Sequence, residues 1–151
     1  DIVLSTPAAG EIIDLSEVNA PTFASGSLGE GFAIIPTDGK IYSPVNGEVS
    51  TVFPTKHAIG VVSEEGAEIL IHIGIDTVNL NGKYFQSAVS DGKKVRKGDL
   101  LMEVDLQELI KEGYDPTTMV IVTNSSRFKN IITSHKKNNQ TRKLASLGGS
   151  I

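Results

Sequence analysis

The apolar residues of this chain come in short runs set apart by glycine-containing turns, and that spacing most limits the folds open to it. Ten candidate strands can be marked, at 2–4, 11–14, 32–36, 40–43, 48–53, 58–62, 68–73, 84–89, 100–104 and 119–123. With 15 glycines among 151 residues, short apolar runs bounded by turn signals favour strands over helices. The expected fold class is therefore all-β, an antiparallel β-sandwich or barrel with one or two short helices. One motif recurs: Pro7-Ala8-Ala9-Gly10-Glu11-Ile12 matches Pro44-Val45-Asn46-Gly47-Glu48-Val49, and Val95-Arg96-Lys97-Gly98-Asp99-Leu100 is a looser third copy. Either β-turn chemistry is being reused, or the fold contains a duplicated half-motif.

Helix signals are few. Asp105-Leu106-Gln107-Glu108-Leu109-Ile110-Lys111 has an N-cap aspartate, a glutamate three residues on and Gly113 beyond its end, which predicts a short helix. A weaker turn of helix is expected around 126–132. From Thr133 the chain turns polar and basic, so residues 1–132 read as one domain and 133–151 as a mobile tail or linker.

Composition narrows the function classes. No stretch approaches the roughly 20 apolar residues of a membrane helix. The chain starts Asp1-Ile2-Val3-Leu4, without Met or a basic leader, as expected of a segment of a longer protein rather than a signal peptide. The absence of Cys rules out disulfides, thiolate metal sites and cysteine catalysis, and is compatible with the cytosol. Residues 1–115 hold all 18 acidic groups against 8 basic ones, leaving −10, while residues 116–151 carry +6 and no acid. An acidic domain of this kind is not expected to bind nucleic acid and can attract a basic protein partner.

Two histidines carry the chemistry. His72 interrupts the apolar run Ile69-Leu70-Ile71-His72-Ile73-Gly74-Ile75-Asp76, and His57 lies in Thr55-Lys56-His57-Ala58-Ile59-Gly60. Taken singly, His72 reads as a hydrogen-bonded core residue and His57 as an exposed loop residue. As a pair they read differently. If 58–62 and 68–73 form a hairpin with a two- or four-residue loop, opposed residue numbers have an odd sum, and the two histidines share a face about 5 Å apart, or about 7–8 Å on the diagonal. A three- or five-residue loop makes the sum even and turns them to opposite faces. Two facing imidazoles need partners for their polar atoms.

Such a pair suits two chemistries. One is phosphoryl transfer, because an imidazole with a pKa near about 6.5 is a competent nucleophile at neutral pH. The other is metal binding, with His72, Asp76 and His57 as a zinc-peptidase-like set. Against the second, residues four apart on an extended strand are roughly 13 Å apart unless Gly74 bends the chain. A lipoyl- or biotin-type carrier is a third reading, but neither Lys56 nor Lys83 sits in a modification motif.

The histidine segments, with Leu70-Ile71-His72-Ile73-Gly74-Ile75-Asp76-Thr77-Val78, Val95-Arg96-Lys97-Gly98-Asp99-Leu100-Leu101 and Val120-Ile121-Val122-Thr123-Asn124, resemble the glucose-type IIA domain of the bacterial sugar phosphotransferase system. Phe23-Ala24-Ser25-Gly26, Phe53-Pro54-Thr55-Lys56-His57 and Gly113-Tyr114-Asp115-Pro116-Thr117-Thr118 look closest to IIA domains fused to β-glucoside, sucrose or trehalose permeases. The similarity spans about residues 3–130. It implies a β-sandwich with a duplicated half-motif, and a cytoplasmic domain that meets the membrane only through a parent permease. It implies that His72 takes phosphate at Nε2 from the phosphocarrier protein HPr and passes it to a cysteine of a IIB domain. His57 then donates a hydrogen bond to the phosphoryl group, Thr55 orients His57, the Gly74 carbonyl holds the Nδ1 hydrogen of His72, and Asp76 lies beside the site. Phe23, Phe53 and Leu70 form an apolar docking rim. No cofactor is implied. The chain departs from the family in two places: Asn19-Ala20-Pro21-Thr22 replaces the acidic residue often found before Phe23, and Met119 stands where proline is expected.

Overall fold

The computed structural model describes residues 1–135 and 140–146. Among them the chain forms β1 (Ile2–Ser5), β2 (Gly10–Asp14), β3 (Glu30–Pro36), β4 (Lys40–Tyr42), β5 (Gly47–Val52), β6 (Ala58–Ser63), β7 (Glu68–Ile73), β8 (Phe85–Ser87), β9 (Lys94–Val95), β10 (Leu100–Val104), β11 (Thr118–Val122), β12 (Asn130–His135) and β13 (Gln140–Ser146). Two short helices, α1 (Pro21–Ala24) and α2 (Leu106–Lys111), join them, with 3₁₀ turns at Leu15–Glu17, Thr77–Leu80 and Ser125–Arg127. All ten expected strands are present. The two-residue β9 was not foreseen because it sits inside a run of lysines and arginine that carries no apolar pattern.

Seven strands form one sheet in the order β2-β3-β11-β7-β6-β5-β9. Two three-stranded sheets, β4-β10-β8 and β1-β12-β13, complete the molecule. The inner side of the large sheet (Phe32, Ile34, Ile59, Val61, Ile69, Ile71, Ile73, Val120 and Val122) shares one buried core with Ile2 and Leu4 of β1, Ile41 of β4, and Leu101 and Met102 of β10. This is the expected β-sandwich, with β1 and β12 the one parallel pair among the described residues. Strand β11 is buried along its whole length. Its Val120 and Val122 point to the main core, while Met119 and Ile121 join a second cluster on the outer face with Leu15, Val18 and Ala33. The segment from Leu15 to Ala24 closes that cluster, and so brings Phe23 to the centre of the sheet's outer face.

The repeated motif is a structural repeat. The Ser5 amide donates to the Pro44 carbonyl at 3.0 Å, and the Tyr42 amide donates to the Pro7 carbonyl at 2.7 Å. Ser5 and Pro7 stand to Tyr42 and Pro44 as matched positions of the two copies, so the two bonds are reciprocal, as a local two-fold relation requires. The matched glycines also share an environment: a Cβ on Gly10 would lie 2.0 Å from the Ile35 carbonyl oxygen, and one on Gly47 the same distance from that of Val62. The third copy packs beside the second, where the Gly98 amide donates to the Ser43 carbonyl and the Ser43 amide to the Asp99 carbonyl, both at 2.8 Å.

Helix α2 forms as expected, with the Asp105 carboxylate accepting from the Glu108 amide at 3.3 Å and Leu109 buried. At 126–132 the chain makes a single 3₁₀ turn, Ser125–Arg127, and then enters β12. In place of the tail expected from residue 133, the described residues continue β12 to His135 and add β13 against it. The remainder of that expected tail, 136–139 and 147–151, lies outside the described residues.

Candidate functional site

The two histidines meet, though not by the expected route. Ala58 pairs with His72 and Ile59 with Ile71, across a three-residue loop closed by the Ser63 amide on the Ala67 carbonyl at 2.9 Å. The paired numbers therefore have an even sum, the case that would put His57 and His72 on opposite faces. Instead their ring centroids are 5.0 Å apart, edge to face at 80°. His57 precedes β6, and Lys56 before it is left-handed (φ 60°). The His57 carbonyl still accepts from the Ile73 amide at 2.7 Å, but residue pairing ends at Ala58 and Lys56 is left-handed, so the strict side-chain alternation of β6 does not extend to His57. Ala58, directly opposite His72, has only a methyl group and leaves room above it for the second ring.

Each imidazole is held at Nδ1. His72 Nδ1 lies 2.9 Å from the Gly74 carbonyl oxygen, an acceptor only, so this nitrogen carries the proton. His57 Nδ1 lies 2.7 Å from the Thr55 hydroxyl. In both rings Nε2 is the nitrogen left without a hydrogen bond among the described residues. The Phe23 ring stands 4.9 Å from His72, and the Phe53 ring 5.6 Å from His57. Thr55, Gly74, Phe23 and Phe53 thus surround the pair. Leu70 lies two residues before His72 on the same outer face of β7, half-buried against the second cluster. Asp76 is exposed, in the left-handed region (φ 62°), and leads into the Thr77–Leu80 turn.

Burial disfavours the protonated form of both rings. Burial lowers the pKa of His57, which is 6% exposed. Burial is also the main reason His72 is pushed down to about 4; neighbouring His57 adds to the shift, while the Gly74 carbonyl and the Asp76 carboxylate oppose it. At neutral pH His72 therefore carries a proton on Nδ1 and a free lone pair on Nε2.

The backbone after His72 is tied down on both sides. Gly74 is left-handed (φ 81°), and a Cβ there would lie 2.5 Å from Thr77 Cγ2. The Thr77 hydroxyl donates to the Ile73 carbonyl at 2.5 Å. The Gly74 and Ile75 amides donate to the Thr117 and Asp115 carbonyls at 3.1 and 2.9 Å. Thr77, Asp115 and Thr117 were not singled out as site residues. The Asp-Pro-Thr turn at 115–117 was legible as turn chemistry, but its place beside Gly74 depends on β11 pairing with β7. The bend at Gly74 that a metal reading required does occur, yet among the described residues no three ligating side chains come together.

Comparison with known proteins gives one consistent result. A family model described as phosphoenolpyruvate-dependent sugar phosphotransferase system, EIIA 1, matches residues 2–128. The chain is 49% identical over 126 residues to a beta-glucoside-specific EIIBCA component of Bacillus subtilis, covering 83% of this chain and 21% of that protein. It is 49% identical over 123 residues to a glucose-specific EIIA component of Halalkalibacterium halodurans, covering 81% of this chain and 70% of that one. Among solved structures, the glucose permease IIA of Mycoplasma capricolum superposes with a TM-score of 0.74 at 41% identity, over 81% of this chain and 80% of that chain. The chain spans about a fifth of the length of the multi-component relatives it matches. None of these relatives supports the zinc-binding alternative.

Proposed function

The chain belongs to the EIIA 1 family of the phosphoenolpyruvate-dependent sugar phosphotransferase system, whose members are phosphotransferase components working through a phosphohistidine, and from that premise we propose that His72 is the residue phosphorylated, with His57 its partner in transfer. The observation that carries the assignment is the unequal tethering of the two rings. His72 is locked by a carbonyl into the tautomer with a lone pair on Nε2. His57 is bonded to a hydroxyl that can donate to Nδ1, which leaves His57 Nε2–H as a donor toward a phosphoryl group on its neighbour.

The reaction then follows from general chemistry. The His72 Nε2 lone pair forms a bond to phosphorus as the bond from phosphorus to the donor breaks. A phosphoryl group in flight needs positioning and hydrogen-bond donors more than covalent help. The low pKa of His72 keeps its lone pair available across the neutral range. On transfer onward, the N–P bond breaks as an acceptor nucleophile takes the phosphoryl group, and His72 returns to its neutral form with its Nδ1 proton in place throughout. The donor proposed is the phosphocarrier protein HPr, and the acceptor a cysteine of a IIB domain, such as relatives named EIIBCA carry in the same chain. The half-buried apolar rim of Phe23, Phe53 and Leu70 suits a transient surface that serves two partners in turn. The setting proposed is the cytoplasmic side of a permease.

Incubation with phosphorylated HPr, followed by intact-mass measurement, tests the assignment. The wild-type chain is expected to gain one phosphate and His72→Ala none; undiminished labelling of His72→Ala would sink it. His57→Gln is expected to accept phosphate but to donate it to a IIB domain at least tenfold more slowly, a floor set below the roughly 10²–10³-fold that loss of one positioned hydrogen-bond donor costs. Donation at the wild-type rate would remove His57 from the transfer step.

A further inference from the structure

Which nitrogen His72 offers to phosphate depends on one carbonyl group, that of Gly74, at 2.9 Å from Nδ1. This carbonyl belongs to the planar peptide joining Gly74 to Ile75. The N–H at the other end of the same plane donates to the Asp115 carbonyl, also at 2.9 Å. In a trans peptide the C=O and N–H point in opposite directions within one plane. Rotating the unit to spoil one bond spoils the other, so whatever fixes the Asp115 carbonyl also aims the Gly74 carbonyl at the imidazole. The two bonds in series polarise the shared amide and strengthen each other.

The Asp115 carbonyl is fixed by its own side chain. Asp115 Oδ1 accepts from the Thr117 amide at 2.9 Å and from the Thr117 hydroxyl at 2.6 Å. That closes a turn across Pro116, whose ring sets the backbone angle between them. Thr117 is 7% exposed, and its carbonyl receives the Gly74 amide at 3.1 Å. The fit leaves no slack: a Cβ on Gly74 would already be 3.2 Å from the Asp115 carbonyl oxygen. The same turn therefore grips the peptides on both sides of Gly74.

We propose that Asp115 is a positioning residue for phosphoryl transfer, holding His72 in its Nδ1–H tautomer through the Asp115–Thr117 turn and the Gly74–Ile75 peptide. Asp115 touches neither the imidazole nor the phosphate. The proposal rests on the reading of His72 as the nucleophile, but its structural half, control of the tautomer, can be read without any phosphate present.

The test uses Asp115→Ala, Asp115→Asn and Thr117→Val in the 151-residue chain, with two readouts. Imidazole ¹⁵N chemical shifts report the tautomer of unphosphorylated His72 and its pH profile, and stopped-flow transfer from phosphorylated HPr reports the rate. Asp115→Ala is expected to give mixed tautomers and transfer about tenfold slower, the scale on which small misplacements of a reacting group act. Asp115→Asn keeps an oxygen for both Thr117 donors and is expected to stay within about twofold of wild type on both readouts. Thr117→Val loses only the hydroxyl contact and is expected to fall between them; it decides the matter if Asp115→Ala does not fold. A folded Asp115→Ala, or in its place Thr117→Val, with the wild-type tautomer and rate overturns the proposal. A wild-type chain that takes no phosphate overturns the His72 assignment instead, while the tautomer comparison stands or falls by itself.

Discussion

An imidazole that attacks phosphorus, the role proposed for His72, has to be neutral, correctly tautomerised and still reachable, and separate residues of this chain bear on each demand. Burial against Phe23 and beside His57 holds the His72 pKa down to about 4. The sign of the consequence is fixed: the unfolded ring, with the ordinary value of 6.5, takes up its proton before the folded one does. Neutral His72 therefore supports the fold fully above about pH 6.5, and that support is lost as pH falls toward 4. The loss is at most about 3 kcal/mol, the size of the shift itself. An NMR titration is expected to find the His72 ring neutral through pH 5.5, and a midpoint near 6.5 would contradict the burial argument. Gly74→Ala is expected to cost about 1–3 kcal/mol, through a left-handed φ and the clash with Thr77, and to slow transfer; thermal melts with phosphorylation rates check both. At this scale the sequence was informative about identity and less so about geometry. His57 and His72 stood out as types in a pattern, and Thr55 and the Gly74 carbonyl through the family resemblance. The left-handed Lys56 that turns His57 toward His72 left no mark, because lysine does not announce a positive φ.

Among the elements, the outer face of β11 and β7 supplies the floor of the site. Met119 pairs with His72 across the two strands and packs into the second cluster with Ala33 and Ile121. The Leu15–Ala24 segment roofs that cluster and carries Phe23. The duplicated turns make a parallel prediction. Gly10→Ala and Gly47→Ala each drive a methyl group into a neighbouring strand's carbonyl, so each is expected to destabilise the fold by more than about 1 kcal/mol, measurable by urea melts. If one is costly and the other neutral, the two copies are not structurally equivalent. The ten expected strands were legible because each is a short apolar run between turns. Strands β9, β12 and β13 were not: the first is two residues among lysines, β12 offers only the Ile131-Ile132 pair in a stretch that also reads as a weak helical turn, and β13 lies in polar, basic sequence; β12 pairs with β1 and β13, and β13 with β12.

The whole molecule is an acidic β-sandwich with one face opened around two imidazoles. Among the described residues no helix is long and apolar enough to cross a membrane. Residues 1–115 carry a net −10, so association with a basic phosphate donor is expected to slow as salt is raised, with little change in the rate within the complex; a salt-independent association rate would contradict the electrostatic part of this account. Fold class and family were open to reading from the sequence because they rest on local patterns and specific segments. The register that joins the 115–117 turn to the histidine strand was not, since it exists only once β11 lies beside β7. The central claim is that phosphate resides on Nε2 of His72. The ¹⁵N–³¹P couplings of the phosphorylated, ¹⁵N-histidine-labelled chain test it most directly. A single coupling to Nε2 of His72 is the predicted result, and phosphate on Nδ1, or on His57, would contradict it.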